Sequence, residues 1–170
     1  SGNWSNENII LTANPTCSGC GKYSYKWYYY DGDEQVTTQT HTATSSGTYT
    51  VKLTLGNGKD ASSVNYAVKI DKTAPTCSIA VTSGTLGANG YTSNVGLKMT
   101  ASTGGSGIDK YTAFSTSSSA TYGTDGGGQT NLEISKTVSL NGTYTYYGYV
   151  KNKVGLTGKC SKTITVNKPK

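Results

Sequence analysis

Hydrophobic and polar residues alternate with a period of two along several short stretches of the chain. The pattern is clearest at residues 23–29, 48–55, 64–70, 95–101 and 160–166. Such alternation is typical of β-strands with one buried face. Asp-Gly, Asn-Gly and Gly-Gly pairs, which favour tight turns, lie between these stretches. The pattern therefore predicts an all-β chain of short antiparallel strands.

A repeated motif divides the chain into two parts. Residues 46–51 read Ser-Gly-Thr-Tyr-Thr-Val, and residues 141–146 read Asn-Gly-Thr-Tyr-Thr-Tyr. Each copy is followed by a glycine-containing turn and a last alternating strand. Between the copies lies Asp71–Pro75, a polar stretch closed by a proline, which suits a linker better than a central strand. We expect two tandem β-sandwich domains, residues 1–72 and 73–170.

Composition and charge narrow the possible partners. The 170 residues include 22 glycines and 14 tyrosines, which favour strands and turns over long helices. No apolar run approaches the roughly 18 residues of a membrane span. The net charge is +6, but every basic residue is a lysine, and the lysines are scattered. Arginine is the preferred side chain for phosphate and guanine recognition, so we expect no nucleic-acid partner.

Several motifs of the first half resemble those of a known family. A Tyr25-Lys26-Trp27 strand leads to Asp31-Gly32, and His41 precedes the stretch Gly47–Leu53. This order is similar to that of immunoglobulin-like domains of the polycystic-kidney-disease type. The resemblance implies that His41 helps to pack the sandwich; a solvent-facing histidine is the alternative.

The second half resembles a different group of modules. It begins Asp-Lys-Thr-Ala-Pro at Asp71–Pro75, carries Gly-Ser-Gly-Ile at Gly105–Ile108, and ends with a strand and turn at Tyr149–Leu156. These features are similar to those of bacterial immunoglobulin-like modules. The resemblance implies tandem immunoglobulin-like sandwiches in a bacterial secreted or surface protein. The shared residues belong to turns and cores, so they indicate architecture better than activity.

Four cysteines allow three disulfide pairings. Cys77 shares a strand face with aliphatic residues of the opening strand of the second domain, and Cys160 does so in its closing strand. We therefore expect a Cys77–Cys160 bond, with two buried free thiols as the alternative. Cys17 and Cys20 are expected to form a small loop-tightening disulfide. A reactive or metal-bound pair is the alternative, although the helical context of a redox site is missing.

Few residues suggest catalysis or metal binding. His41 is the only histidine, no pair of carboxylates lies in a glycosidase-like motif, and we expect no enzymatic activity and no cofactor. Asp31, Asp33 and Glu34 form the one candidate Ca²⁺ site, because they cluster in a glycine-containing turn. A turn with solvated carboxylates explains the same residues.

Tyrosines provide the candidate ligand-binding residues. The strand phase places Tyr28, Tyr30 and Lys26 on the face opposite Trp27, and places Tyr147 and Tyr149 opposite their neighbouring tyrosines. Exposed tyrosines offer rigid contact area for sugars or proteins. Cross-strand pairing with threonine and lysine is the alternative role.

The sequence leads to one main functional hypothesis and one alternative. The first is a non-catalytic, extracellular or cell-surface module, acting as a spacer, stalk, pilus-like or adhesive segment and contacting an unknown surface protein or glycan. The second is a carbohydrate- or protein-binding module that uses the exposed tyrosines, including an accessory domain of a glycan-degrading enzyme.

Overall fold

The computed structural model describes residues 3–15, 22–29, 33–34, 37–56 and 63–170. The regular elements in these residues are β-strands, which confirms the all-β prediction. The chain divides into two compact units, Ser1–Lys72 and Thr73–Lys170, called unit 1 and unit 2 below. Within the described ranges, no helix is long and apolar enough to cross a membrane.

The described part of unit 1 contains seven strands in two sheets. The strands are β1 (Trp4–Ser5), β2 (Ile9–Thr12), β3 (Ser24–Tyr29), β4 (Asp33–Glu34), β5 (Thr40–Ala43), β6 (Gly47–Thr54) and β7 (Val64–Ile70). The larger sheet has the order β1-β7-β6-β3-β4, and β2 pairs with β5 in the smaller one. Because the strands alternate apolar and polar residues, each sheet presents one apolar face to the other.

Aromatic rings fill the core between the two sheets of unit 1. Trp27 on β3 is fully buried, and its indole Nε1 donates a hydrogen bond to the carbonyl oxygen of Thr38 at 2.9 Å. His41 on β5 lies against Trp27 and Tyr49, with ring centroids 5.7 and 5.2 Å away. His41 is only 9% exposed. Its ring therefore packs inside the sandwich and does not face the solvent.

Unit 2 has nine strands, also in two sheets. They are β8 (Thr76–Ser83), β9 (Leu86–Gly87), β10 (Gly90–Tyr91), β11 (Val95–Ser102), β12 (Ile108–Ser115), β13 (Thr124–Asp125), β14 (Asn131–Val138), β15 (Gly142–Asn152) and β16 (Thr157–Val166). One sheet has the order β13-β12-β15-β16-β10-β9, and the other has the order β14-β11-β8.

The core of unit 2 lies between these sheets. Val95, Leu97, Met99 and Ala101 on β11 are all buried, as their alternation predicts. The facing sheet contributes Tyr146 and Val150 from β15 and Ile164 and Val166 from β16, all of them buried. Fully buried aliphatic side chains of this size each stabilise a fold by about 1.5–3 kcal/mol, so this cluster contributes substantially to the stability of unit 2.

A disulfide between Cys77 and Cys160 connects the two sheets of unit 2. Cys77 lies on β8 in the three-stranded sheet and Cys160 on β16 in the six-stranded sheet, with their Cα atoms 5.3 Å apart. The bond lies against the hydrophobic core, where both cysteines pack against its aliphatic residues. This is the pairing that the phase of the two strands predicts.

The first and last strands of unit 2 run side by side in the same direction. A Cβ on Gly158 would collide with the carbonyl oxygen of Pro75, so the start of β16 lies beside the start of β8. At the other end, Asn167, which follows β16, donates its amide to the carbonyl of Tyr91 at 2.8 Å. Tyr91 also lies beside Gly84, which follows β8, so the ends of the two strands lie at the same end of the unit. The chain therefore enters unit 2 at one end and leaves it at the opposite end.

Two strand pairs are parallel, which differs from the purely antiparallel pairing that the sequence predicts. β1 runs parallel to β7, and β10 runs parallel to β16. In unit 1 the opening segment passes from one sheet to the other, because β1 pairs with β7 and β2 pairs with β5. In unit 2 the short β9–β10 hairpin turns the chain back beside the end of β16. Each parallel contact involves only one or two residue pairs, so antiparallel pairing still dominates both units.

Candidate binding surface

A β-bulge redirects the chain at the end of β12. The register with β15 shifts between Thr112 and Ser115, and Phe114 has a φ of 55°. A positive φ is rare for a bulky residue and marks a constrained backbone. The Phe114 ring packs edge-on against Tyr146 in the core, with centroids 6.0 Å apart. This packing holds the bulge, and the bulge sends residues 116–123 back across the outer face of the six-stranded sheet.

That segment covers Tyr149, which corrects the prediction of an exposed binding residue. Tyr149 is only 1% exposed, and its hydroxyl donates to the carbonyl oxygen of Ser117 at 2.7 Å. Tyr122 packs edge-on against its ring, with centroids 6.5 Å apart. Burial raises the pKa of Tyr149 above its usual value, and the neighbouring Tyr147 and Tyr122 add to the rise. Tyr149 therefore holds the covering segment, and its ring is not exposed on the sheet face.

Tyr147 remains accessible beside this segment. It is half-buried, and its ring stacks on that of Tyr149 at 6.4 Å between centroids. Lys159 on β16 lies over Tyr147, with its Nζ 5.2 Å from the ring centroid, and also donates to the carbonyl oxygen of Ser118 at 3.0 Å. Lys151 lies 5.1 Å above the ring of Tyr122. Tyrosine rings and lysine ammonium groups thus alternate on this face.

A shallow pocket opens within this group of side chains. Its volume is about 310 Å³, and it is lined by Ser118, Ala120, Tyr122, Tyr149, Thr157, Gly158 and Lys159. A pocket of this size is at the lower end of the range for small-molecule sites. We call the outer face formed by Tyr122, Tyr147, Lys151 and Lys159 the tyrosine–lysine surface. The sequence identified Tyr147, but it gave no signal for Tyr122 or the two lysines.

The candidate ligand-binding residues of unit 1 are only partly described. Lys26 is exposed and Tyr28 is half-buried, and both lie on the face of β3 opposite Trp27, as predicted. The Nζ of Lys52 lies 4.7 Å from the centroid of the Tyr28 ring. Tyr28 therefore takes part in a cross-strand cation–π contact, the alternative role considered for these tyrosines. Tyr30 lies outside the described residues.

The candidate metal ligands and the Cys17–Cys20 pair fall largely outside the description as well. Asp31, Cys17 and Cys20 are not described, and for Asp33 and Glu34 only the backbone is, as strand β4 paired with β3. Elsewhere in the described ranges, no three histidine, cysteine, aspartate or glutamate side chains come together as a metal site.

A buried asparagine fixes the start of unit 2. Asn152, at the end of β15, is 1% exposed. Its Nδ2 donates to the carbonyl oxygen of Thr73 at 3.1 Å and to Thr103 Oγ1 at 3.3 Å, while its Oδ1 accepts the amide of Leu156 at 2.9 Å. One side chain thus joins the first residue of the unit to two loops. The local sequence gives no signal for this role, because the partners are 79 and 49 residues away.

Comparisons with known proteins support the fold. No protein-family model and no curated protein sequence matches the chain. The chain is similar to the solved N-terminal four immunoglobulin domains of Dscam1 isoform 8.4, with 12% identity, 97% of this chain and 42% of that chain covered, and a TM-score of 0.50.

The N-terminal eight immunoglobulin domains of Down Syndrome Cell Adhesion Molecule isoform 1.30.30 give the same identity, coverage of this chain and TM-score, with 24% of that chain covered. The fibronectin(III)-like modules of Clostridium thermocellum CbhA match at 15% identity, with 97% and 88% of the two chains covered and a TM-score of 0.37. This chain spans less than half of either Dscam structure. At such identities the likeness shows the fold alone, an immunoglobulin-like β-sandwich.

Proposed function

We propose that this chain is a non-catalytic spacer in an extracellular assembly of a bacterial surface protein, and that unit 2 is its inextensible part. The observation that carries the proposal is the position of the Cys77–Cys160 bond. It joins the first strand of unit 2 to the last and spans 83 residues. Disulfides persist mainly in oxidising compartments, which supports a location outside the cytoplasm.

The course of the chain also supports a spacer. Because β8 and β16 run side by side, tension on the chain enters unit 2 at one end and leaves at the other. Only Thr73–Thr76 and residues 161–170 lie outside the disulfide-closed loop, so tension reaches the residues between the cysteines only after the S–S bond breaks. A module built in this way keeps its length under load.

Single-molecule force spectroscopy tests this role on the full chain. With the bond intact, the unfolding of unit 2 should release only the short terminal segments. In the C77A/C160A variant, the released length should increase by about 270–300 Å, since an extended residue spans about 3.3–3.6 Å. The C17S/C20S variant is the matched control, and it should give the same released length for unit 2 as the unmodified chain. Equal released lengths with and without the Cys77–Cys160 bond would contradict the proposal.

A further inference from the structure

The outer face of the six-stranded sheet carries three lysines on adjacent strands. Lys110, Lys151 and Lys159 project from the adjacent strands β12, β15 and β16, and Lys110 lies directly beside Lys151 in the strand register. Among the residues that the structure describes, none of the three forms an ion pair with an acidic side chain. Asp125 lies opposite Lys110 on the edge strand β13, where its Oδ1 accepts the amide of Gly127 at 2.7 Å, so one carboxylate stands beside the three lysines.

The opposite outer face of unit 2 differs in this respect. On the three-stranded sheet, Lys98 forms an ion pair with Glu133 at 3.4 Å. Hydroxyl groups there also pair across the strands, at 2.7 Å between Thr76 and Ser102. Three lysines with one carboxylate therefore leave net positive charge on the face that carries the tyrosine–lysine surface.

Hydroxylated and aromatic side chains also lie on this face. Thr145 and Thr163 pair their hydroxyls at 2.8 Å, and the half-buried Tyr147 presents a ring next to Lys159. Tyrosine rings are amphipathic contact surfaces, and hydroxyl groups both donate and accept hydrogen bonds. Rings, hydroxyls and ammonium groups together match a polymer of hydroxylated rings that carries negative charge at intervals.

We propose that this face binds an acidic polysaccharide, with a sugar ring against Tyr147 and the pocket beside it, and with carboxylate groups on Lys110, Lys151 and Lys159. The charge complementarity and the pocket carry this assignment. Lysine is a flexible point charge, which suits carboxylates spaced along a polymer; the bidentate phosphate recognition typical of arginine is not available here. The binding role is separate from the spacer role, and either can fail without the other.

The test uses the full chain and polygalacturonate as the probe, with binding measured by calorimetry at low salt. Binding should be saturable and should weaken as salt rises, because surface charges are screened. The K110Q/K151Q/K159Q variant should bind roughly tenfold more weakly, as expected for the loss of three exposed ion pairs. Lys98→Gln, on the opposite face, is the matched control and should bind normally.

The tyrosine contribution and the chemical class of the ligand are tested in the same way. Tyr147→Ala should weaken binding at every salt concentration, since the ring contact is not screened. Neutral dextran and double-stranded DNA should bind at least tenfold more weakly than polygalacturonate. The proposal is overturned if polygalacturonate does not bind, if K98Q weakens binding as much as the triple variant does, or if DNA binds equally well.

Discussion

Gly148 on β15 lies directly opposite Cys160 on β16, and the missing side chain makes room for the disulfide. A Cβ at Gly148 would lie 2.7 Å from Cys160 Sγ, 2.9 Å from Cys77 Sγ and 2.8 Å from Met99 Sδ. Carbon and sulfur atoms do not pack this closely, so any larger residue must displace one of these groups. The glycine and the disulfide therefore depend on each other.

Substitution of Gly148 should show this dependence. Gly148→Ala should lower the free energy of unfolding by about 1–3 kcal/mol, the usual cost of overpacking a core. Urea denaturation of the full chain measures the effect. In the C77A/C160A background the penalty should be smaller, because two of the three close sulfur atoms are gone. An equal penalty in both backgrounds would place the strain elsewhere.

Removal of one hydroxyl should loosen the segment that covers the six-stranded sheet. Tyr149→Phe keeps the buried ring but loses the hydrogen bond to Ser117. We expect the amides of residues 117–123 to exchange hydrogen several-fold faster, while those of β11 keep their protection, because local opening of the segment does not need global unfolding. Hydrogen exchange followed by NMR measures both regions. Unchanged exchange at residues 117–123 would show that other contacts hold the segment.

Asn152→Asp should destabilise unit 2 in a pH-dependent way. The carboxylate cannot donate to Thr73 or Thr103, so we expect a loss of about 2–3 kcal/mol at pH 7. Burial should raise the pKa of the new carboxyl group in the folded state above its unfolded value. The protonated form can donate to the Thr73 carbonyl, so the loss should shrink as the pH falls towards 4. Asn152→Ala, measured by denaturation at the same pH values, should show a loss that does not change with pH.

His41 should make unit 1 sensitive to mild acid. Burial lowers the pKa of His41 below 6.5, so the imidazole is neutral in the folded state at pH 7. The unfolded state binds the proton more readily, so stability is fully present above pH 6.5 and falls as the pH drops towards the folded pKa. Unfolding followed by tryptophan fluorescence at pH 7.5 and 5.5 should show this loss. His41→Gln should reduce it, and an identical pH dependence in that variant would assign the loss to other groups.

The period of two was enough to predict several of the longer strands and part of the core. On β11, four alternating apolar residues fall on the buried face, because a strand with one side against a core has no other stable register. The phase of Cys77 and Cys160 relative to their aliphatic neighbours likewise pointed to the pair that the structure joins. These features depend on local pattern, which a sequence displays directly.

The covering segment could not be predicted in the same way. Residues 116–123 are mainly serine, threonine and alanine, without periodicity, and their path depends on the bulge at Phe114. Alternation correctly placed Tyr147 and Tyr149 on one face of β15, but it contains no information on what folds over that face. The wrong prediction of an exposed Tyr149 and the unrecognised Tyr122 have this single cause. Asn152 was missed because its partners come from distant loops.

The position of Cys160 also determines when unit 2 can be completed during synthesis. Its partner Cys77 is made 83 residues earlier, so the native bond can form only when the last strand has been made and lies beside the first. Contacts between such distant segments form late in folding. A chain that ends before residue 160 therefore cannot form this bond. Formation of the Cys77–Cys160 disulfide thus distinguishes chains that contain all of unit 2 from truncated ones.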